Sequence, residues 1–275
     1  MEQQFSVSMC VYGKDDPNWF ALAVDSILNQ TRKPTEVVLV VDGPVPQELD
    51  QVITGYEQLE NFRVIRLLQN MGHGNARRIG LSHCTCDLVA LMDADDISLP
   101  NRFEMQLQVF RQNPQVAIVG GNITEFMDTP DNTVGARIVE TDDAAIKLDM
   151  KKRCAMNMVT VMFRKEIVDQ AGGFIDWFCE EDYYLWLRMM LNGAVFANVP
   201  EYLVNVRVGS DMYRRRGGWK YFSSEARLQY YMLRKGIIGP ITYAVNVAKR
   251  LVVQVLLPNS LRGWVFQKFA RKQVT

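Results

Sequence analysis

Residues Glu36–Val41 read Glu-Val-Val-Leu-Val-Val, an apolar run that a strand can carry only if both its faces are covered. Such a strand belongs inside a parallel sheet flanked by helices, and the surrounding sequence keeps that rhythm. Phe5–Val11 reads as a strand before it. Asp16-Pro17 supplies an N-cap and a first-turn proline for a helix with Phe20, Val24, Ile27 and Leu28 on one face. Residues 63–68 read as a third strand, 75–84 as a helix, Leu88–Met92 as a fourth strand and 116–119 as a fifth. Ser98 reads as the cap of a helix that aligns Phe103, Leu107 and Phe110. Strands alternating with helices predict an α/β fold, a doubly wound, mostly parallel, Rossmann-like sheet with right-handed crossovers. After Gly120 the rhythm changes: 122–127, 137–140, 158–163 and 202–207 read as strands, 142–151 and Glu181–Leu191 as helices, and the chain from Trp219 as mostly helical. The expected organisation is one α/β domain over 1–211 and a basic helical extension over 212–275, without internal repeats.

Charge sharpens that division. The 275 residues carry 31 Lys+Arg and 31 Asp+Glu, but residues 1–200 net −11 and residues 201–275 net +11. A basic C-terminal section meets phosphate on lipid, nucleotide or nucleic acid, or is simply a solvated helical face. With 48% hydrophobic and 23% charged residues, the composition excludes a disordered, collagenous or coiled-coil chain. Five irregularly spaced cysteines point to a reducing compartment. The first residues, Met1-Glu2-Gln3-Gln4, lack a basic stretch before an apolar core, and no apolar run approaches about 18 residues. A cytosol-facing protein without a membrane span is expected.

In an open parallel sheet, ligands bind beyond the carboxyl ends of the strands. Those ends are Val11-Tyr12, Asp42 and Asp93-Ala94-Asp95-Asp96, so carboxylates converge on one rim. A carboxylate there can hold a hard divalent cation whose other positions are filled by phosphate oxygens and water. Asp-x-Asp by itself reads equally as a turn; its place at the end of a buried strand favours a site. His83-Cys84-Thr85-Cys86 lacks the second ligand pair of a zinc site. Gly72-x-Gly74 lacks the third glycine of a dinucleotide fingerprint.

Taken together, Ser6-Val-x-Met-x-Val-Tyr12, Asp42-Gly43, Asn70-x-Gly72 with Ala76-Arg77, Asp93-Ala-Asp-Asp96, Gly172-Gly-Phe174 and Glu180-Glu-Asp-Tyr-Tyr-Leu-Trp-Leu-Arg188 resemble the inverting family 2 glycosyltransferases of the GT-A fold. The resemblance spans about residues 5–210 and is nearest to bacterial enzymes of the amylovoran, capsule and lipopolysaccharide type. It implies that Val11 and Tyr12 line the pocket for the base, that Asp42 accepts a hydrogen bond from the nucleobase imide and that Arg77 lies against the base. It implies that Asp93 faces the ribose or sugar, that Asp95 ligates Mg²⁺ or Mn²⁺, and that Glu181 belongs to the donor site. Asp182 would be the general base, and chemistry favours one, because an alcohol is a poor nucleophile until deprotonated in the transition state. The other reading of Glu180–Asp182 is an acidic first helical turn. Relatives often follow the returning strand with Arg-x-His; here Arg207-Val208-Gly209 lacks the histidine, and the chain's two are His73 and His83. Arg207 then meets the diphosphate alone or with Arg214 and Arg215, whose run before Gly217-Gly218 reads equally as a phosphate-closing loop and as an exposed basic turn.

The function so implied is metal-dependent transfer of a hexose from a nucleotide sugar, UDP-hexose foremost, to a polyprenyl-diphosphate-linked glycan in bacterial surface polysaccharide synthesis. Apolar 237–241 and 251–257, then Trp264, Phe266 and Phe269 among Arg262, Lys268, Arg271 and Lys272, suit an anionic membrane surface on the cytoplasmic side. Packing on the catalytic domain is the alternative. A sugar nucleotidyltransferase would need a glycine-rich loop where Val11-Tyr12-Gly13-Lys14-Asp15 stands. A non-enzymatic membrane or nucleic-acid binding protein would leave the rim carboxylates unexplained, so no nucleic acid partner is expected.

Overall fold

The computed structural model describes residues 3–209 and 217–258. The apolar run is β2 (Glu36–Val41), buried from Val37 to Val41. It lies parallel to β1 (Phe5–Val11) and β3 (Phe62–Arg66), and β4 (Leu88–Met92) lies parallel on the far side of β1. Alternate residues of β2 enter different cores: Val37, Leu39 and Val41 pack with Phe20, Ile27 and Phe103, whereas Val38 packs with Leu81, Phe163 and Trp186. Two-sided burial therefore has the cause that the apolar run implied.

The crossovers are α1 (Pro17–Leu28), α2 (Gln47–Glu57) and α3 (His73–His83). Asp16 caps α1, its Oδ1 accepting from the amides of Asn18 at 2.8 Å and Trp19 at 3.1 Å. Helix α2 is absent from the sequence reading, although Leu49, Val52, Ile53 and Tyr56 follow helical spacing and pack on the core.

Strands β5 (Ile97–Ser98), β6 (Val116–Phe126), β7 (Thr133–Arg137), β8 (Met162–Arg164) and β9 (Val195–Arg207) complete one sheet, ordered β3-β2-β1-β4-β8-β6-β9-β5 with β7 on β6. Six strands point the same way, and β5, β7 and β8 reverse. The expected break at Gly120 does not occur. Strand β6 runs on through Gly120-Gly121, where added Cβ atoms would lie 2.5 Å from Asn198 Oδ1 and 2.5 Å from Leu203 Cδ1. These glycines admit the side chains of β9; they do not end a strand. Residues 158–163 split into a 3₁₀ turn, Met158–Thr160, and the start of β8. The strand expected at 137–140 lies earlier, as β7, and the one expected from 202 already starts at Val195. Nor does Ser98 cap a helix: it pairs with Val204 in β5, and α4 (Arg102–Gln112) begins after Pro100, which disfavours a helical Leu99.

The remaining helices are α5 (Asp143–Asp149), α6 (Lys165–Gln170), α7 (Glu181–Leu191), α8 (Trp219–Arg234) and α9 (Pro240–Leu251), the last continued by a π-helical turn, Val252–Leu256. Leu228, Met232, Ile237 and Ile238 share a core with Trp186 and Phe163, so the described part of the basic extension packs on the sheet domain. Its remainder, 212–216 and 259–275 with Trp264, Phe266 and Phe269, lies outside the described residues. Among the described residues no helix is long and apolar enough to cross a membrane.

One buried polar link holds α4 against the sheet where β8 interrupts the parallel order. Gln106 Nε2 donates to the carbonyls of Val119 at 2.8 Å and Thr160 at 2.7 Å, while its Oε1 accepts from Arg102 Nε at 3.2 Å. Arg102 Nη2 in turn donates to Leu91 O at 2.7 Å. Burial pulls the Arg102 guanidinium down to about 9, which leaves it protonated at neutral pH. Gln106→Leu would leave two buried carbonyls without a donor, a cost of ~1–3 kcal/mol for each unsatisfied group. The urea midpoint of this variant should fall clearly with an unchanged m-value; a wild-type midpoint would show that the link is dispensable.

Candidate active site

Two clefts open at the carboxyl ends of the strands. The larger, about 950 Å³, is lined by Tyr12, Asp15, Asp42, Asp93, Asp95 and Arg207 among others. The second, about 630 Å³, has Asp93, Asp96, Arg137, Cys154 and Asp182 in its wall. Asp93 lines both, so the clefts meet at the end of β4.

The rim is assembled from local backbone chemistry. Asp42 follows β2, and its Oδ1 accepts from the Met71 amide at 2.6 Å while Oδ2 accepts from the Gly72 amide at 3.2 Å. Its carboxylate thereby fastens the loop that leads into α3. Gly43, at φ +89°, lies so close to that loop that a Cβ would stand 2.6 Å from Asn70 N. One turn into α3, the buried Arg77 donates from Nη2 to Asp93 Oδ1 at 2.7 Å and from Nε to His73 Nε2 at 3.0 Å. Accepting at Nε2 leaves the ring proton on Nδ1, which faces Glu181 Oε1 at 3.3 Å. A continuous polar path thus runs from β4 through α3 to α7. Burial is the strongest single influence and would lower the Arg77 pKa, but Asp93, Cys10 and Glu181 together outweigh it and hold the group above its ordinary value. For Glu181, burial works upward and is outweighed by the hydrogen bond and charge of His73, so its pKa is lowered.

Other carboxyls on the rim move the opposite way. Burial first, then repulsion from Asp95 and Asp93, pushes Asp15 up to about 6 against the Tyr12 amide bonded to it at 2.9 Å. Asp96 is raised well above the carboxylate range by burial and the same two neighbours, although it accepts from the Arg207 amide at 2.8 Å. Arg207 ends β9 with its guanidinium between the rings of Trp19, 4.3 Å away, and Phe126, 4.7 Å away. It donates to the carbonyls of Asp95 at 3.2 Å and Asp128 at 2.9 Å. In the second cleft, Asp182 stands in the first turn of α7 with Oδ1 accepting from the Tyr183 amide at 2.6 Å. Burial, then the charge of Glu181, pushes its carboxyl up to about 6.

Of the residues singled out from sequence, Tyr12, Asp42, Asp93, Asp95 and Arg207 line the larger cleft. Val11 reaches it too, but its side chain is buried in the core beneath the sheet. Arg77, expected against the base, instead lies behind Asp93 and lines neither cleft; Glu181 also lines neither and faces His73. Arg214 and Arg215 lie outside the described residues. Sequence reasoning missed Asp15, which its own turn holds through Tyr12, and Trp19 and His73, which acquire their partners Arg207 and Glu181 only from distant segments. Among the described residues, no group of three or more His, Cys, Asp or Glu is arranged to hold a metal unaided. Asp93 and Asp95 are two hard oxygen donors, which fits a hard cation that takes its other ligands from phosphate and water.

Residues 6–170 match the family model described as Glycosyl transferase family 2. The chain belongs to glycosyltransferase family 2. It is 35% identical over 269 residues to the UDP-Gal:alpha-D-GlcNAc-diphosphoundecaprenol beta-1,3-galactosyltransferase of Escherichia coli, covering 98% of this chain and 97% of that protein. To the amylovoran biosynthesis glycosyltransferase AmsE of Erwinia amylovora it is 36% identical over 267 residues, covering 94% and 100%. Among solved structures, the mannosyltransferase PcManGT from Pyrobaculum calidifontis, in complex with GDP-Man and Mn²⁺, matches with a TM-score of 0.66 at 15% identity, covering 95% of this chain and 72% of that one. The glycosyltransferase therefore has the GT-A fold that its sequence resemblance implies.

In this glycosyltransferase Arg77 joins Asp93 and His73 through two different nitrogens, a span that the fixed fork of a guanidinium fits and a single ammonium nitrogen fits poorly. Arg77→Met should cost ~2 kcal/mol by removing a charged hydrogen bond from the partly buried Asp93. Arg77→Lys should recover little of it. Thermal unfolding of the three proteins decides this; full recovery by lysine would reduce the residue to a point charge.

Proposed function

We propose that the protein transfers a hexose from a nucleotide sugar, most simply a UDP-hexose, to a lipid-linked diphosphate glycan of bacterial surface polysaccharide, with inversion at the anomeric carbon. The observation that carries this reading is the pair of clefts sharing Asp93, one lined by Tyr12, Asp42 and Asp95 and the other by Asp182. A donor in the larger cleft exposes its anomeric carbon near Asp93. An acceptor hydroxyl in the smaller one approaches from the opposite side. The hydroxyl oxygen bonds to the anomeric carbon, the bond to the diphosphate breaks with its electron pair leaving on phosphate, and the proton passes to Asp182. Asp93 and Asp95 would hold Mg²⁺ or Mn²⁺, which when bound offsets charge on the departing diphosphate. Arg207, immobilised between two rings, directs positive charge at the same group. The named substrates of the E. coli relative, UDP-Gal and a diphosphoundecaprenol-linked GlcNAc, support this donor and acceptor class.

Asp182→Asn should keep nucleotide binding and lose about 10²-fold or more in transfer, since general-base catalysis contributes 10²–10⁴. Asp95→Ala should instead abolish the rise in Tm that UDP with Mn²⁺ produces. The base must be ionised, and its raised pKa moves the acid limb of activity to a pH of about 6, with turnover lost as pH falls through that value. Asp15 titrates in the same range, so the assignment requires that the limb persist in Asp15→Asn. Wild-type turnover in Asp182→Asn would remove that residue from the mechanism.

The acceptor's lipid also calls for attachment at the inner face of the cytoplasmic membrane. Ile241, Val245, Val252 and Leu256 form an exposed apolar stripe along α9 and its π turn, with Ile241 82% exposed. Residues 217–258 carry six basic residues and one acidic one. Anionic vesicles should therefore sediment the enzyme, neutral vesicles much less, and Val245→Glu with Val252→Glu should release it. Equal partition onto both vesicle types would remove the electrostatic component.

A further inference from the structure

The smaller cleft has a second wall that the transfer chemistry leaves unused. Arg137 from β7, Arg153 after α5, and Lys249 and Arg250 from α9 all line it, Arg137 on the Asp182 side through Cys154. Tertiary bonds bring two of these cations together. Asn246 Nδ2 donates to Lys151 O at 2.9 Å, and Arg250 Nη2 donates to Lys152 O at 3.0 Å. Helix α9 thereby grips the two residues before Arg153, so that Arg153 and Lys249, each adjacent to a gripping contact, share one rim of the cleft.

The four cations are not equivalent. Arg250 is committed: its Nε lies 2.9 Å from Glu225 Oε2, and Nη1 and Nη2 bond to backbone carbonyls. Arg137 is bonded to the Cys154 carbonyl. Arg153 uses Nε on Asp149 at 2.8 Å, and its two terminal amino groups have no partner among the described residues. Lys249 is exposed and has no ion pair or hydrogen bond among the described residues. Of the carboxylates at this wall, Asp149 holds Arg153 through Nε alone, Glu225 is taken by Arg250 and Gln254, and burial pushes the Glu180 carboxyl up. A guanidinium with spare donors and an exposed ammonium lining one cleft form a receptor for phosphate oxygens.

We propose that Arg153 and Lys249 form an anion subsite on the rim of the smaller cleft, which takes the diphosphate on the acceptor. The inference rests on the reading of that cleft as the acceptor site. It assigns the two ends of the acceptor: hydroxyl toward Asp182, and diphosphate toward α9, whose exposed apolar stripe lies next to Lys249 and gives the lipid chain a path to the bilayer. The donor's diphosphate has its own arginine, Arg207, in the other cleft.

The test compares two soluble acceptors without vesicles: an α-GlcNAc diphosphate ester of an eleven-carbon alcohol, and the α-GlcNAc glycoside of the same alcohol. Wild-type full-length enzyme should show a KM at least about tenfold lower for the diphosphate. In Arg153→Ala with Lys249→Ala that preference should collapse, with the diphosphate KM rising about tenfold or more, while the KM for the nucleotide sugar stays unchanged. Lys249→Arg should retain the preference. Binding is read separately as the Tm shift that each compound produces with UDP present. A diphosphate-specific shift lost in the double variant supports the subsite even if neither compound is glycosylated, a result that would instead count against transfer to GlcNAc, the acceptor sugar of the E. coli relative. A preference untouched by the double substitution overturns the subsite. So does a parallel rise in the nucleotide-sugar KM, which would assign the cations to the donor, or a defect seen only with anionic vesicles, which would assign them to phospholipid headgroups.

Discussion

The arrangement of both clefts depends on the buried ion pair between Arg77 and Asp93, 2.7 Å apart. A guanidinium with almost no contact with water is tolerated only when paired and hydrogen-bonded, because desolvating an unpaired charge costs several kcal/mol. Asp93 is therefore held toward α3, and α3 must start at the register that brings Arg77 beside it. That start is set from the other side, where the Asp42 carboxylate holds the amides of Met71 and Gly72. His73 then passes the constraint to Glu181 and α7, the helix that carries Asp182. A carboxylate in one cleft and a carboxylate in the other are thus held in a fixed relation through a single helix.

The carboxyls themselves are not at rest in this arrangement. Asp15 and Asp182 are each raised to about 6, and Asp96 and Glu180 are raised as well, with burial the first cause in every case and neighbouring carboxylates pushing the same way. Such crowding disfavours the charged forms in the absence of a compensating cation. Raised carboxyls clustered along one rim are the electrostatic signature of a site built for ligands that bring positive charge or remove water. The exposed basic groups of the clefts come mostly from the second half of the chain, Arg207 at the end of β9, Arg153 after α5 and Lys249 on α9, and they share the clefts with these carboxyls.

Much of the first half was legible. Phe5–Val11, Glu36–Val41, Leu88–Met92 and Glu181–Leu191 have the bounds that their apolar patterns imply, since a strand buried on both faces and a strongly amphipathic helix each leave a periodicity that local sequence cannot hide. Helix α2 was legible in the spacing of Leu49, Val52, Ile53 and Tyr56 but was passed over, and Gly120-Gly121 misled because a glycine pair reads as a break when its partner strand is unknown. Tyr12, Asp42, Asp93 and Asp95 could be placed on the rim because strand ends are visible in sequence and ligands gather there. Arg77 could be noticed but not understood. Its neighbours in the sequence say nothing of Asp93, sixteen residues away, that turns it inward.

Sequence by itself determined the architecture, the rim and the family, because alternation of apolar runs, turn residues and acidic strand ends are local properties of the chain. Tertiary structure alone decided that β8 enters antiparallel between β4 and β6, that Arg77 stands behind Asp93 instead of on the cleft wall, and that α9 brings Lys249 beside Arg153. Each of those outcomes depends on which backbone carbonyl or carboxylate meets a donor from a distant segment: Thr160 with Gln106, Asp93 with Arg77, Lys152 with Arg250. Hydrogen-bond partners far apart in the chain leave no periodic trace in it, because the cost they avoid, a buried polar group left unpaired, exists only once the chain has folded.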